Sequence, residues 1–164
     1  MSEKTLASRF SHIKQQIGQA KLLAVTKYSG ATEIREAYEA GQRDFGENRV
    51  QDLESKAHEL SDLEGIRWHF IGHLQSNKVN KLLEIPALYA IHSIESQDKL
   101  LRVNKKMTHF EGGELRLFLQ AKTSYEEEKS GFAHFEDLMA TARLLSTGEL
   151  DRRLILQGLM TMSV

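Results

Sequence analysis

Apolar residues in this chain fall in short runs separated by longer amphipathic stretches. Residues 22–26, 43–45, 67–71, 88–92, 115–121 and 154–159 have the pattern of strands. Residues 5–18, 32–40, 48–60, 76–83, 97–107 and 135–145 carry apolar positions at helical spacing. Several strand runs are continuously apolar rather than alternating, as expected when both faces of a sheet are covered. Regular alternation of strand and helix predicts βα units, a parallel sheet and an α/β fold. Two architectures meet that pattern, an open doubly wound sheet and a (β/α)8 barrel of typically about 250 residues. The sequence stops at Val164, just past the sixth strand, which is unusual for either and leaves an apolar strand open to pairing.

Composition narrows the function. The chain has 164 residues, a single proline (Pro86) and no low-complexity linker, so residues 1–164 are expected to form a single domain. With 22 basic and 23 acidic residues the formal charge is −1, and no basic stripe is present. That argues against a nucleic-acid or anionic-membrane partner. There is no cysteine, which excludes disulfides, thiolate catalysis and Cys-ligated zinc. Met1-Ser2-Glu3-Lys4 lacks the apolar core of a signal peptide, and no apolar run reaches spanning length. A cytoplasmic, soluble protein is the expectation.

Lys27 is the leading candidate for chemistry. It ends the run Leu22-Leu23-Ala24-Val25-Thr26, before Tyr28-Ser29-Gly30 and a helical segment. α/β proteins place chemistry where a strand end faces a helix start. A partly desolvated lysine there loses its proton readily and attacks a carbonyl as a free amine. Strand parity places Leu23, Val25 and Lys27 on one face, Ala24 and Thr26 on the other. Asn48, at the second strand end, is suited either to a ligand's hydroxyl or to capping the next helix. Glu47 fits a first-turn charge complementing the helix dipole. His69 and His73 have metal-like spacing, yet four extended positions separate them by ~13 Å, so His69 reads as structural and His73 as a pocket wall or loop residue. Ser93 falls at the fourth strand end, and no Gly-x-Ser-x-Gly elbow exists to make it a nucleophile. Met160 falls in the sixth strand, where packing or ligand contact are both open. Neither common glycine-rich phosphate fingerprint occurs. Lys129-Ser130-Gly131-Phe132 suits a lid or a turn into the next helix, and Glu126-Glu127-Glu128 a solvated loop.

Ordered blocks carry a family resemblance. They are Leu23-Ala24-Val25-Thr26-Lys27; Glu36-Ala37-Tyr38-Glu39-Ala40-Gly41; Phe45-Gly46-Glu47-Asn48-Arg49-Val50-Gln51; and Trp68-His69-Phe70-Ile71-Gly72-His73-Leu74-Gln75-Ser76-Asn77-Lys78. Ile91-His92-Ser93-Ile94, Lys129-Ser130-Gly131-Phe132 and Gly158-Leu159-Met160-Thr161 follow in order. Together they resemble the pyridoxal phosphate homeostasis protein family, related to the barrel domain of alanine racemase. The resemblance implies a (β/α)8 TIM barrel of the alanine racemase type, here with about six of eight strands.

It also implies pyridoxal 5′-phosphate held as a Schiff base on Lys27, with Asn48, His73, Ser93 and Met160 as further cofactor-binding positions. The implied role is vitamin B6 and amino-acid homeostasis without established turnover. The alternative is a fold-type III enzyme such as an amino-acid racemase, which needs a second acid/base group from an additional domain. A class I aldolase suits the barrel but not the ordered blocks. The family continues through two further strands that carry a phosphate cradle, so the chain is expected to be C-terminally truncated relative to it, with a weakened cofactor site. Gln120-Ala121-Lys122 also departs from the family's usual strand end.

Overall fold

The computed structural model describes residues 5–123 and 130–162. Six strands alternate with six α-helices. In chain order these are α1 (Leu6–Ile17), β1 (Ala24–Val25), α2 (Ala31–Glu39), β2 (Asp44–Glu47), α3 (Val50–Glu59) and β3 (Arg67–Phe70). Then come α4 (Val79–Leu83), β4 (Leu88–Ile94), α5 (Gln97–Lys105), β5 (Leu115–Gln120), α6 (Phe135–Leu144) and β6 (Leu154–Met160).

All pairings are parallel, and the order across the sheet is β1-β2-β3-β4-β5-β6. That order decides between the two architectures. A doubly wound sheet reverses its strand order at a switch point, whereas here every crossover steps the same way. Right-handed crossovers in one direction put all the helices on one face and curl the sheet away from them. The result is barrel wall, with a helix-covered convex face and a concave inner face.

The core lies under the helices. Phe45, Trp68 and Phe70 from β2 and β3 are at most 1 % exposed and cluster with Leu53 of α3, Leu82 and Leu83 of α4, and Leu100 and Val103 of α5. Local signals start the helices where the sequence places them. Thr5 Oγ1 accepts the Ser8 N–H at α1, and Ser96 Oγ accepts the Lys99 N–H at α5. At α2 the Gly30 N–H donates to the Glu33 carboxylate.

Element boundaries differ from the sequence reading where polar and apolar cues conflict. β1 is only two residues long, because it pairs with β2 alone. β4 continues past His92 to Ile94, with a register shift against β5. Residues 76–83 divide into a 3-10 turn, Ser76–Lys78, and α4. Phe132 is buried and pinned to the end of β5. Its N–H donates to the Gln120 carbonyl at 2.7 Å, and its carbonyl accepts from Lys122 N–H at 3.0 Å. This favours a turn over a lid, while Lys129 and Glu126-Glu127-Glu128 lie outside the described residues. Among the described residues no helix is long and apolar enough to cross a membrane.

Candidate functional site

Lys27 stands where the sequence places it, one residue past Thr26 at the carboxyl end of β1. Lys27 and Tyr28 occupy the centre of a turn closed by the Ser29 N–H donating to the Thr26 carbonyl at 2.9 Å. Parity holds for Leu23 and Thr26. Leu23 lies beside Gly46 and Ile71 on the concave face, and Thr26 is buried on the opposite face beside Glu47. The expected desolvation of Lys27 is not met. The residue is exposed, with its Nζ 5.1 Å from the Tyr28 ring centroid. β1 is an outer strand of the described sheet, so neighbouring side chains cover the lysine from one side only.

Behind that turn lies a buried ion pair. Glu47, the last residue of β2, has no solvent exposure. Its Oε1 accepts from Lys56 Nζ and from Thr26 Oγ1, each at 2.6 Å. Lys56, on α3, also donates to the Thr26 carbonyl at 2.8 Å. Glu47 is therefore no first-turn surface charge. It points into the seam between sheet and helix, where a lone charge would be costly and a paired one is tolerated.

Asn48 and His73 come together at the ends of β2 and β3. Both line a cavity of about 410 Å³ with Arg49, Gln75 and Lys78. The two loops touch backbone to backbone. A Cβ at Gly72 would stand 1.9 Å from the Asn48 carbonyl oxygen, so only glycine fits there. Asn48 does not cap the next helix, because Arg49 takes the N-cap position, without a side-chain cap. His73 Nδ1 lies 3.3 Å from Glu95 Oε2 and its Nε2 3.4 Å from Lys99 Nζ, and Lys99 in turn pairs with Glu95.

Lys27 is not among the residues lining that cavity. Ser93 is buried within β4, and its hydroxyl has no hydrogen-bond partner among the described residues. Met160 ends β6 opposite Gln120 of β5, partly exposed. The five predicted positions thus share the strand-end side of the fold, but only Asn48 and His73 share a hollow.

The concave face holds a polar row that the sequence reading missed, apart from assigning His69 a structural role. Asp44 Oδ1 lies 3.0 Å from His69 Nε2, and His69 Nδ1 lies 2.9 Å from His92 Nε2. His92 stacks on Phe118 with 4.1 Å between ring centroids. Arg67 forks onto Asp44 through two bonds of 2.6 Å, and Arg116 lies over the Tyr89 ring at 4.3 Å. These side chains line a second cavity of about 370 Å³.

The electrostatics follow from burial. Burial, reinforced by the neighbouring His69, pushes His92 down to about 4. Burial also lowers His69, against the opposing pull of Asp44. Burial pushes the Asp44 carboxyl up, but the Arg67 and His69 hydrogen bonds outweigh it and hold Asp44 below the usual carboxylate range. With both imidazoles neutral, Asp44 accepts from His69 Nε2–H, and His69 Nδ1 accepts from His92 Nε2–H. The signal in the sequence was polarity inside strand runs: Asp44, Arg67, His69, His92 and Arg116 interrupt or border apolar strand residues.

Comparison with known proteins places this geometry. No family model matches the chain. A Helicobacter pylori (strain J99) protein named pyridoxal phosphate homeostasis protein is 41% identical over 141 residues, covering 85% of this chain and 60% of that protein. The Homo sapiens protein of the same name is 41% identical over 124 residues, covering 73% of this chain and 45% of that one. The chain therefore spans about three-fifths or less of the length of these curated relatives.

Among solved structures, PipY of Synechococcus elongatus PCC7942, solved with PLP bound, superposes with a TM-score of 0.82 at 37% identity. That match covers 96% of this chain and 70% of that one. Alanine racemase from E. faecalis superposes with a TM-score of 0.71 at 15% identity, covering 98% of this chain and 43% of that one, a likeness of fold alone.

Proposed function

The chain belongs to the pyridoxal phosphate homeostasis protein family, and from that premise we propose that it binds pyridoxal 5′-phosphate, with Lys27 as the covalent attachment point. One observation carries the reading. Lys27 presents an exposed primary amine at a strand end, and no carboxylate pairs with it among the described residues. Lys56 and Lys99 are each tied to a carboxylate. When bound, pyridoxal phosphate supplies an aldehyde that condenses reversibly with such an amine. The residues at this strand end fit the carbonyl half of the group.

In this reading Asn48 and His73 supply polar walls of their own cavity on the strand-end side that carries Lys27, and Ser93 and Met160 lie further along the same side of the sheet. The role is homeostatic: the chain holds and releases the vitamin B6 cofactor as one cytoplasmic domain, with no committed turnover. The near-neutral charge supports a small-molecule ligand over nucleic acid or a membrane surface. The test is chemical trapping. The protein is incubated with pyridoxal phosphate, reduced with borohydride and mapped by mass spectrometry. Stoichiometric adduct on the Lys27 peptide, lost in Lys27→Ala, is the expected result. Label scattered over surface lysines, or none, overturns the proposal.

A further inference from the structure

We propose that Glu47 and Lys56 are positioning residues for Lys27, an inference that rests on the reading of Lys27 given above. β1 offers little to hold its own end. It is two residues long and pairs on one side, and beyond Val25 the ladder adds a single bond, from Thr26 N–H to the Gly46 carbonyl at 2.9 Å. A strand so short frays at its end unless something else fixes it.

The Thr26 carbonyl is the point that is fixed. It belongs to the peptide unit that leads into Lys27, and it closes the turn by accepting from Ser29 N–H. Lys56 Nζ donates to the same oxygen at 2.8 Å. Thr26 is secured a second time through its hydroxyl, which donates to Glu47 Oε1 at 2.6 Å. The same carboxylate oxygen accepts from Lys56 at 2.6 Å. One ion pair therefore ties β1, β2 and α3 together at the residue before the reactive lysine.

Burial makes this arrangement stiff. Thr26 is 5 % exposed, Glu47 fully buried, and the Lys56 side chain 14 % exposed. Glu47 Oε2 has no hydrogen-bond partner among the described residues, so the carboxylate depends wholly on what its other oxygen holds. Hydrogen bonds to a charged group in such surroundings are strong and directional. Lys56 touches no ligand in this reading. It acts through the Thr26 carbonyl, setting the turn from which the Lys27 amine projects. The same engagement keeps Lys56 from competing as the reactive amine.

The experiment separates positioning from stability and from the attachment itself. Amide hydrogen exchange is measured on the ligand-free protein, then on Glu47→Gln/Lys56→Met, which removes both charges together and leaves none stranded. In the wild type the Ser29 amide is expected to be protected like the β2 and β3 amides. In a double variant that still melts cooperatively, Ser29 exchange rises by roughly tenfold or more, as suits the loss of a charge-assisted hydrogen bond. Amides of β4 are unchanged, and the rate of trapping at Lys27 falls severalfold. A freely exchanging Ser29 amide in the wild type overturns the proposal without any variant. A folded double variant with wild-type exchange and trapping overturns it too. Failure of the wild type to trap pyridoxal phosphate would instead strike the reading of Lys27 and leave the exchange comparison standing.

Discussion

Acidification should loosen this fold through its buried histidines, and the His69–His92 pair sets the size of the effect. Folding holds His92 at about 4, against 6.5 for a free imidazole. The unfolded chain therefore takes up the proton first as pH falls. The contribution is complete above 6.5, declines as pH drops through 6.5, and levels off below about 4. The full gap is worth about 3 kcal/mol. His92 is only half-buried, so screening reduces this to about 1–2 kcal/mol between pH ~7 and pH ~5.

His69, lowered by burial, adds in the same direction. Asp44 and Asp151 act in a lower window. Asp44 is held below its ordinary 3.8, and Asp151, fixed by Arg153, sits at about 2. The charged and titratable groups that share the cavity with His92 are Lys21, Asp44, Arg67, His69, Tyr89 and Arg116. The assay is urea unfolding across the His92 window, with the slope of free energy against denaturant checked for constancy. His92→Phe keeps an aromatic ring on Phe118 and should flatten the profile while lowering stability overall. A wild-type midpoint that does not move between pH ~7 and pH ~5, or a variant with the wild-type slope, refutes the reasoning.

Other substitutions test packing and caps. Gly72→Ala forces a methyl against the Asn48 carbonyl, and should cost about 2 kcal/mol and shift the amide signals of the Asn48 and His73 loops. Trp68→Ala empties the largest fully buried side chain and should cost about 3–5 kcal/mol in chemical denaturation. Ser96→Ala removes the α5 cap and should cost about 1 kcal/mol without changing trapping at Lys27. Arg35→Ala breaks an exposed pair with Asp62 and should leave the unfolding midpoint where it is.

The elements were legible because their cues are local. Periodicity acts within a few residues, and the caps that the structure shows at Thr5 and Ser96 are equally local. Strand order was not local, and periodicity alone left an open sheet and a barrel on equal terms. Lys27 was legible from its place after an apolar run, and Asn48 and His73 from their places past strand ends. The exposure of Lys27 was not, since it depends on β1 having a neighbour on one side only. Asp44 escaped notice because its partners lie 23 and 25 residues away, at Arg67 and His69. Nothing beside Lys56 in the sequence sets it apart from the other charged residues of α3. Only the register of α3 against the end of β1 turns it inward.

β2 shows how one short strand serves two kinds of chemistry. Its two carboxylates sit three residues apart, and a period of two sends them to opposite faces. Asp44 joins the concave row with Arg67 and His69, and Glu47 joins the helix-side clamp with Lys56 and Thr26. Each acid is matched by a base from a following element, Asp44 by Arg67 of β3 and Glu47 by Lys56 of α3, so neither of the two is left as an unpaired buried charge. Gly46 lies between them with no side chain, which lets Leu23 and Ile71 close over the strand from either side. The strand is thereby fixed on both faces, and β1 has no other neighbour in the sheet. The rigidity available to the turn around Lys27 is therefore borrowed from β2 and α3. Substitutions in those elements should alter the behaviour of Lys27 more than substitutions in β1 itself.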